Sequence, residues 1–241
     1  MRLFGLIGKT LEHSFSRDYF LNKFKTEGNR DADYQFFEIE DIDIFPEVIK
    51  LVPKLYGLNV TIPYKSSIIP YLNELDEKAR RIGAVNTIEF LHNGLLKGWN
   101  TDYTGFRDSL LPLLKSHHKT ALIFGDGGAA KAVQVVLRDL GIAYTVVSRN
   151  GETSYKDVDD AMIREHALLI NCTPLGMFPD TKTCVDIPYT AITPSHLVYD
   201  LVYNPEETLF LQNAKKQGAA IKNGLEMLHL QAEAAWKIWN F

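Results

Sequence analysis

A lysine stands just past a predicted strand in GLNVTIPYK, residues 57–65. The stretch from Leu58 to Ile62 is rich in β-branched residues, which favours a strand, and Pro63 ends it because proline has no amide hydrogen for a sheet. Lys65 follows within the turn. A lysine becomes a useful proton donor or acceptor when burial lowers its pKa or when a carboxylate fixes its position. A solvated surface lysine is the ordinary alternative.

A carboxylate that could act with this lysine occurs in GWNTDYTGF, residues 98–106. Asp102 lies where the predicted strand LLKGWN turns into a helix. A lysine and an aspartate held together can move a proton to or from a substrate oxygen. Thr101 or Asp102 as a simple helix N-cap explains the same residues equally well.

A glycine turn links a strand to a helix in ALIFGDGGAAKAVQVV, residues 121–136. Gly125, Gly127 and Ala130 have the GxGxxG/A spacing. Gly125 permits the turn, Gly127 lets the backbone approach a diphosphate, and Ala130 allows close packing of the helix on the strand. The helix N-terminus then offers N–H groups to the phosphates. We expect a dinucleotide site here, and the alternative is a glycine-rich turn that binds nothing.

The next predicted strand, TVVSRN, ends in Ser148, Arg149 and Asn150. In NAD-binding proteins a carboxylate at this position commonly bonds the adenine ribose. An arginine here can instead pair with a 2′-phosphate and stack on the adenine, which favours NADP. A solvated arginine is the alternative, and the nearby Glu152 weakens the prediction.

Around these motifs the chain alternates strands with helices, which predicts an α/β protein with a parallel sheet covered on both faces. In the first half the elements are the strand RLFGLIG, the helix SRDYFLNKFKTEG with Ser16 as N-cap, the strand ADYQFFEIE, helical turns in DIDIFPEVIKLVPKL, the strand GLNVTIP, the helix DEKARRIG, the hairpin AVNTIEFLHNGLLKGWN and the helix TDYTGFRDSLLPLL. In the second half they are the strands TALIF, AYTVVSR, ALLINCT, HLVYDLVY and AAIKNG, and the helices AAKAVQVVLRDLG, EETLFLQNAKKQG and LEMLHLQAEAAWKIW. The polar break SHHK suggests a domain boundary.

The composition narrows the class of protein. A chain of 241 residues with 46% hydrophobic and 23% charged residues is long and apolar enough for one large or two modest folded domains. The net charge is −4 and no block of Lys and Arg stands out, so nucleic acid is not an expected partner. The two cysteines fit a reducing cytosol, and no signal peptide or membrane span is expected. We also expect no metal site, since His117 and His118 have no further ligand cluster near them in sequence.

Eight separated stretches resemble one family. They are HSFS (13–16), NVTIPYK (59–65), GAVNT (83–87), GWNTD (98–102), GDGGAAKA, INCTPLGM, YDLVYNPEET and NGLEMLHLQAEAAW (223–236). Their order and spacing are similar, from end to end, to those of the shikimate dehydrogenases. This resemblance is more specific than the glycine turn alone.

The resemblance implies an enzyme that reversibly reduces 3-dehydroshikimate to shikimate with NADPH, on the route to chorismate and the aromatic amino acids. It implies two three-layer α/β domains with a cleft between them. Residues 1–103 and 225–241 would form a discontinuous substrate domain, and residues 104–224 a Rossmann-like NADP domain. A cytoplasmic monomer or homodimer that binds small molecules is expected.

The resemblance also assigns roles to individual residues. Lys65 and Asp102 match the catalytic pair. The expected substrate-binding residues are Ser14, Ser16, Asn59, Thr61, Lys65, Asn86, Thr101, Asp102, Tyr203 and Gln231. The expected cofactor-binding residues are Glu77, Gly125, Asp126, Gly127, Gly128, Ala129, Ser148, Arg149, Asn150, Thr173, Leu201, Gly224 and Met227.

The sequence departs from the family pattern at three places. Arg17 replaces a common proline, Asp126 puts a negative charge in the diphosphate turn, and SRN replaces NRT after the second strand of the nucleotide domain. Three alternatives stay open: a quinate/shikimate dehydrogenase that prefers NAD, a related dehydrogenase acting on a folate, and a nucleotide-binding sensor without turnover. Ser14 and Arg149 argue against the quinate/shikimate dehydrogenase, and the pair Ser14 and Ser16 argues against the folate dehydrogenase. Retention of both Lys65 and Asp102 argues against the sensor.

Overall fold

Two β-sheets organise the chain, and the computed structural model describes residues 1–12, 14–52 and 54–240 of it. His13, the first residue of the HSFS stretch, therefore lies outside the described residues. The chain divides into two units, one made of Met1–Thr101 and Ala232–Phe241 and the other of Asp102–Gln231. The predicted α/β class is confirmed, since strands and helices alternate in both units. The predicted boundaries of the two domains stay a prediction.

The first unit holds a six-stranded mixed sheet with the strand order β2-β1-β3-β5-β6-β4. Its strands are β1 (Arg2–Gly8), β2 (Ala32–Glu38), β3 (Leu55–Val60), β4 (Glu74–Leu75), β5 (Thr87–Phe90) and β6 (Leu96–Trp99). β1 runs parallel to β2 and β3, whereas β5 and β6 form the predicted antiparallel hairpin. Gly94 turns this hairpin with a positive φ of 81°, which glycine adopts without strain.

Helices α1 (Ser16–Thr26), α2 (Phe45–Leu51) and α3 (Glu77–Ile82) belong to the same unit. The last helix, α8 (Leu225–Trp239), contributes its residues from Ala232 onwards. Aromatic side chains pack α1 and this end of α8 onto the sheet: Phe4 stacks on Trp239 with 5.1 Å between ring centroids, and Phe20 stacks on Tyr34 at 4.7 Å. Burial of such large rings is the main stabilising contribution of a core of this kind.

A half-buried ion pair joins α1 to α8 inside this unit. Lys23 Nζ lies 2.8 Å from Glu233 Oε1 and 2.5 Å from Glu27 Oε1, and the Tyr19 hydroxyl donates to Glu233. Burial raises the pKa of the Glu233 carboxyl, but the hydrogen bonds from Lys23 and Tyr19 outweigh it, and the pKa is lowered overall. Each charge of the pair is thus compensated, as removal from water requires.

The second unit holds a five-stranded, fully parallel sheet with the order β11-β10-β9-β7-β8. Its strands are β7 (Thr120–Phe124), β8 (Ala143–Val147), β9 (Leu168–Asn171), β10 (Leu197–Asp200) and β11 (Ala220–Lys222). Its helices are α4 (Asp102–Leu110), α5 (Gly128–Asp139), α6 (Asp160–Glu165), α7 (Leu209–Lys216) and the first half of α8. The central strands β7 and β9 are buried almost throughout, as strands covered on both faces must be.

Two local predictions are wrong. Ser16 is the first residue of α1 and not its N-cap, because Phe15 takes the cap position with helical φ and ψ and without a side-chain hydrogen bond. β3 begins at Leu55 and ends at Val60, earlier than the predicted strand, because its pairing with β1 fixes its length. Thr61 already belongs to the following turn, in which its carbonyl accepts from the Tyr64 amide at 2.9 Å.

Gly57 is expected to be irreplaceable for packing. A Cβ at this position would collide with the indole of Trp239, whose Nε1 donates to the Ile88 carbonyl at 3.0 Å. Gly57→Ala should therefore lower the free energy of unfolding by about 1–3 kcal/mol, measured by urea denaturation, because overpacking forces the terminal helix away.

A double-mutant cycle with Trp239→Leu provides the control. Removing the indole opens the space, so the cost of Gly57→Ala should fall below about 1 kcal/mol in the Trp239→Leu background. Equal costs in both backgrounds would show that the Gly57–Trp239 contact is not the reason for the glycine.

Candidate active site

A buried polar row crosses the first sheet where β3 and β5 meet. It consists of Asn59, Asn86, Thr87 and Thr101, all of them buried. Asn59 Nδ2 donates to the Asn86 carbonyl and to Thr87 Oγ1, both at 3.2 Å. Thr87 Oγ1 donates to Asn86 Oδ1 at 3.1 Å, and the Thr101 amide donates to the same oxygen at 2.7 Å. The row therefore fixes the orientation of the Asn86 amide from two sides.

The lysine turn is tied to the segment that carries Asn86. The Val85 amide donates to the Lys65 carbonyl at 2.6 Å, and Ser66 Oγ donates to the Gly83 carbonyl at 3.1 Å. Lys65 itself is half-buried. The structure thus holds the backbone of Lys65 beside the polar row of the same unit. Asp102 is buried and begins α4, directly after Thr101 in the chain.

The serine loop and Thr61 lie at the ends of β1 and β3. The Ser16 amide donates to Ser14 Oγ at 3.4 Å, and both serines are half-buried. The Thr61 amide donates to the Ile7 carbonyl at 3.0 Å. Glu77 is exposed at the start of α3 and is the one predicted cofactor residue that belongs to the first unit.

The glycine turn in the second unit lies between β7 and α5 and is open to solvent at Gly127. Gly125 has a φ of +99°, and a Cβ there would lie 2.9 Å from Thr173 Cγ2, so both backbone and packing require glycine. A Cβ on Gly127 would meet nothing within 4 Å, so protein packing does not explain this glycine. α5 starts at Gly128, followed by Ala129, and the first N–H groups of a helix have no partner within it, so they are available at the end of this turn.

The end of β8 offers a buried hydroxyl and an exposed cation. Ser148 Oγ is buried and has no hydrogen-bond partner among the described residues. Arg149 and Asn150 are exposed, as is Asp126 in the glycine turn. Burial raises the pKa of Tyr155, the positive charge of Arg149 opposes this rise, and the negative charge of Asp126 adds to it. The charges of Arg149 and Asp126 therefore both act at Tyr155. This surface and the open glycine turn fit a phosphorylated dinucleotide.

A second buried hydrogen-bond network lies at the carboxyl ends of β9 and β10. Asp200 is fully buried and accepts from Asn171 Nδ2 at 2.9 Å, the Val202 amide at 3.0 Å and Thr208 Oγ1 at 2.6 Å. Asn171 Oδ1 accepts from Thr173 Oγ1 at 2.6 Å. The network therefore positions Thr173, one of the residues predicted to contact the cofactor.

The other predicted residues of the second unit lie in or near α8. Gly224 has no room for a Cβ because the Leu201 carbonyl occupies that space, so the structure brings Gly224 and Leu201 together. Met227 is buried. Gln231 is half-buried and donates to the Leu228 carbonyl at 3.0 Å. Tyr203 follows Leu201 by two residues, is half-buried, and burial raises the pKa of its phenol.

Sequence reasoning missed four residues that support these groups: Tyr34, Thr87, Asn171 and Asp200. Thr87, Asn171 and Asp200 lie inside the motifs noted in the sequence. A polar residue at the end of a predicted strand was the signal that could have identified them. Nothing in the sequence distinguished Tyr34, since it occupies an ordinary core position in the alternating pattern of β2.

Metal clusters and membrane spans are two further features that would change the class of protein. Among the described residues, no group of three or more His, Cys, Asp or Glu side chains is placed to hold a metal ion. None of the helices within these ranges combines the length and the apolar character that a membrane span needs.

The glycine turn, the parallel sheet and the exposed arginine define a dinucleotide-binding α/β protein. Residues 6–88 match the family model described as the shikimate dehydrogenase substrate binding domain. The shikimate dehydrogenase (NADP(+)) of Methanosphaera stadtmanae is 37% identical over 98% of this chain and 90% of its own, and that of Clostridium beijerinckii 40% identical over 99% and 92%. The shikimate 5-dehydrogenase of Thermus thermophilus, solved with NADP(H) and shikimate, has a TM-score of 0.87 at 30% identity over 99% of this chain and 93% of that one. The chain belongs to the shikimate dehydrogenase family.

Asp200 predicts a specific dependence of stability on pH. Burial raises the pKa of its carboxyl from 3.8 to about 6 against the opposing hydrogen bonds. The folded state then binds the proton more tightly than the unfolded state, so stability should fall as the pH rises from about 4 to about 6. The size of the loss is roughly 1–3 kcal/mol.

Urea unfolding of the wild type and of Asp200→Asn between about pH 4.5 and pH 8 measures this effect. The stability of the wild type minus that of the variant should decrease with rising pH and level off above about pH 7, since only the wild type has this titrating group. A difference that stays constant over the range would contradict the shifted pKa.

Proposed function

We propose that the chain catalyses the reversible reduction of 3-dehydroshikimate to shikimate with NADPH. The observation that carries this proposal is the match over 98–99% of the chain to relatives named shikimate dehydrogenase (NADP(+)), with Lys65 and Asp102 both retained. The enzyme is an oxidoreductase of the shikimate pathway. We further propose that it works in the cytoplasm as a monomer or homodimer and binds neither nucleic acid nor membrane.

Lys65 is the proposed acid and base. NADPH supplies the hydride that adds to the C3 carbonyl carbon of the substrate, and the carbonyl oxygen becomes an alkoxide. The Lys65 ammonium stabilises this charge and donates a proton from Nζ to the oxygen, and the neutral amine then regains a proton from water. In the reverse direction the amine accepts the proton of the hydroxyl. The hydrogen bond from Val85 to the Lys65 carbonyl supports this role because it fixes the backbone of the turn.

Asp102 and further polar side chains are proposed to orient the substrate. A carboxylate accepts hydrogen bonds only, so Asp102 is suited to hold a substrate hydroxyl and the ammonium together. Asn86 and Gln231 are assigned to ring hydroxyls, and Ser14, Ser16, Thr61 and Tyr203 to the carboxylate. A ligand with three hydroxyls and one carboxylate needs such neutral hydrogen-bonding groups more than it needs charges.

NADP binding is assigned to the second unit. Gly125 to Ala129 would hold the diphosphate, and Arg149 would pair with the 2′-phosphate. The exposed position of Arg149 and the open space at Gly127 support this assignment. Asp126 is exposed in the same turn, so its negative charge opposes the phosphates through solvent.

The two glycines of the turn give a matched test of the cofactor site. Gly127→Ala should leave stability within about 0.5 kcal/mol, because the backbone is extended and the Cβ meets no protein atom, but it should raise the KM for NADPH at least about tenfold. Gly125→Ala should instead lower stability by more than about 1 kcal/mol, because it combines a positive φ with a clash. Thermal unfolding and NADPH titration separate the two effects, and an unchanged KM in Gly127→Ala would argue against a diphosphate there.

Turnover on purified protein tests the activity itself. Shikimate and quinate are each offered with NADP and with NAD, and reduced nicotinamide is followed by absorbance. We expect turnover with shikimate and NADP. Comparable rates with quinate or NAD would favour the quinate/shikimate dehydrogenase alternative. No turnover with any pair, in a folded protein that binds nucleotide, would favour the sensor.

Lys65→Ala should lower kcat by about 10²–10⁴-fold, because the general acid is lost, with little change in the KM for NADP. Lys50→Ala, which removes an exposed lysine on α2, is the matched control and should keep the rate of the wild type. Near-normal turnover of Lys65→Ala would contradict the assignment of Lys65 as the general acid and base.

A further inference from the structure

The hydroxyl of Tyr34 is buried deep in the first unit and has no role in the function proposed so far. Tyr34 lies on β2, is fully buried, and stacks on Phe20 with an angle of 11° between the rings. Its hydroxyl is 2.7 Å from Asn59 Oδ1. Because β1 lies between β2 and β3, about 10 Å of sheet separates the two backbones, and only a long side chain can bridge it.

The direction of the Tyr34–Asn59 hydrogen bond follows from the partners of Asn59. The Asn86 carbonyl accepts from Asn59 Nδ2 at 3.2 Å, and a carbonyl can only accept, so the amide nitrogen of Asn59 must face it. Asn59 Oδ1 therefore faces Tyr34 and is the acceptor. The single hydroxyl proton of Tyr34 is therefore donated to Asn59 Oδ1.

Burial raises the pKa of Tyr34 well above its usual value, so its hydroxyl stays protonated and remains a donor to Asn59.

The other end of the same chain of hydrogen bonds reaches Asn86. Asn59 Nδ2 donates to Thr87 Oγ1 at 3.2 Å, and Thr87 Oγ1 donates to Asn86 Oδ1 at 3.1 Å. Donors thus point in one direction from Tyr34 through Asn59 and Thr87 to Asn86. Asn86 is assigned to the substrate, whereas Tyr34 and Thr87 are fully buried.

We propose that Tyr34 is a positioning residue for the substrate, which orients the Asn86 amide through Asn59 and Thr87. The proposal rests on the proposed function, since it takes shikimate as the ligand of Asn86. It adds that the Asn86 contact is set by a chain of hydrogen bonds that begins at Tyr34. A change at Tyr34 should therefore weaken substrate binding.

Steady-state kinetics of Tyr34→Phe test the proposal. Loss of the hydroxyl should raise the KM for shikimate about three- to tenfold, leave the KM for NADP unchanged, and change kcat less than about twofold. Tyr199→Phe is the matched control, because it removes another fully buried hydroxyl, paired with Ser109 Oγ at 2.8 Å in the second unit. It should lose comparable stability in urea without moving the KM for shikimate.

Two further variants separate a positioning role from a structural one. Thr87→Val breaks the chain at a second place and should also raise the KM for shikimate, which keeps the test open if Tyr34→Phe does not fold. In Tyr34→Phe/Thr87→Val the two effects on KM should be less than additive, because Tyr34 acts on Asn86 through Thr87.

The proposal is overturned if Tyr34→Phe or Thr87→Val loses stability while the KM for shikimate stays within about twofold of the wild type, or if the double mutant is additive. Failure of the proposed function is read separately, from the wild type. If the wild type binds shikimate by calorimetry but does not oxidise it, the function fails, and the Kd of the variants decides the positioning role. If the wild type does not bind shikimate at all, both fail.

Discussion

Burial of polar groups at strand ends is the constraint on which both sheets depend. Asn59 lies near the carboxyl end of β3 and Asp200 at that of β10, and both are buried. A buried amide or carboxylate without partners costs several kcal/mol, so neighbouring strands must supply donors and acceptors. Tyr34 and Thr87 do this in the first unit, and Asn171 does it in the second. Since the partners come from other strands, the same bonds fix strand register and side-chain orientation.

This constraint also explains why the functional side chains are well positioned. Asn86 and Thr173 are assigned to substrate and cofactor, and each is held by a residue that is itself buried and hydrogen-bonded. A side chain fixed in this way loses little conformational freedom when a ligand binds, which favours affinity and correct geometry. The buried networks therefore connect the stability of each unit to the precision of its site.

Most elements of the fold could be predicted from the sequence, because alternation and helical periodicity are local properties. The β5–β6 hairpin, the parallel sheet of the second unit and the start of α5 behind the glycine turn are confirmed. The errors lie at element ends and in two short elements, β4 and α6, that were not predicted. Ser16 was expected to cap α1, and β3 was expected to extend past Thr61. Such boundaries depend on which strand lies alongside, since pairing with β1 decides where β3 ends.

The sequence by itself determined the family of this protein, and it predicted the lysine and aspartate of the proposed reaction and the glycine turn with Arg149. These signals are short motifs whose residue types are tied to a reaction or a phosphate, so they can be recognised without coordinates. The tertiary structure decided which residues support them. Tyr34 and Asn59 are 25 positions apart, and Asn171 and Asp200 are 29 apart. No local pattern predicts such pairs, because the hydrogen bonds exist only once distant strands have paired in one register.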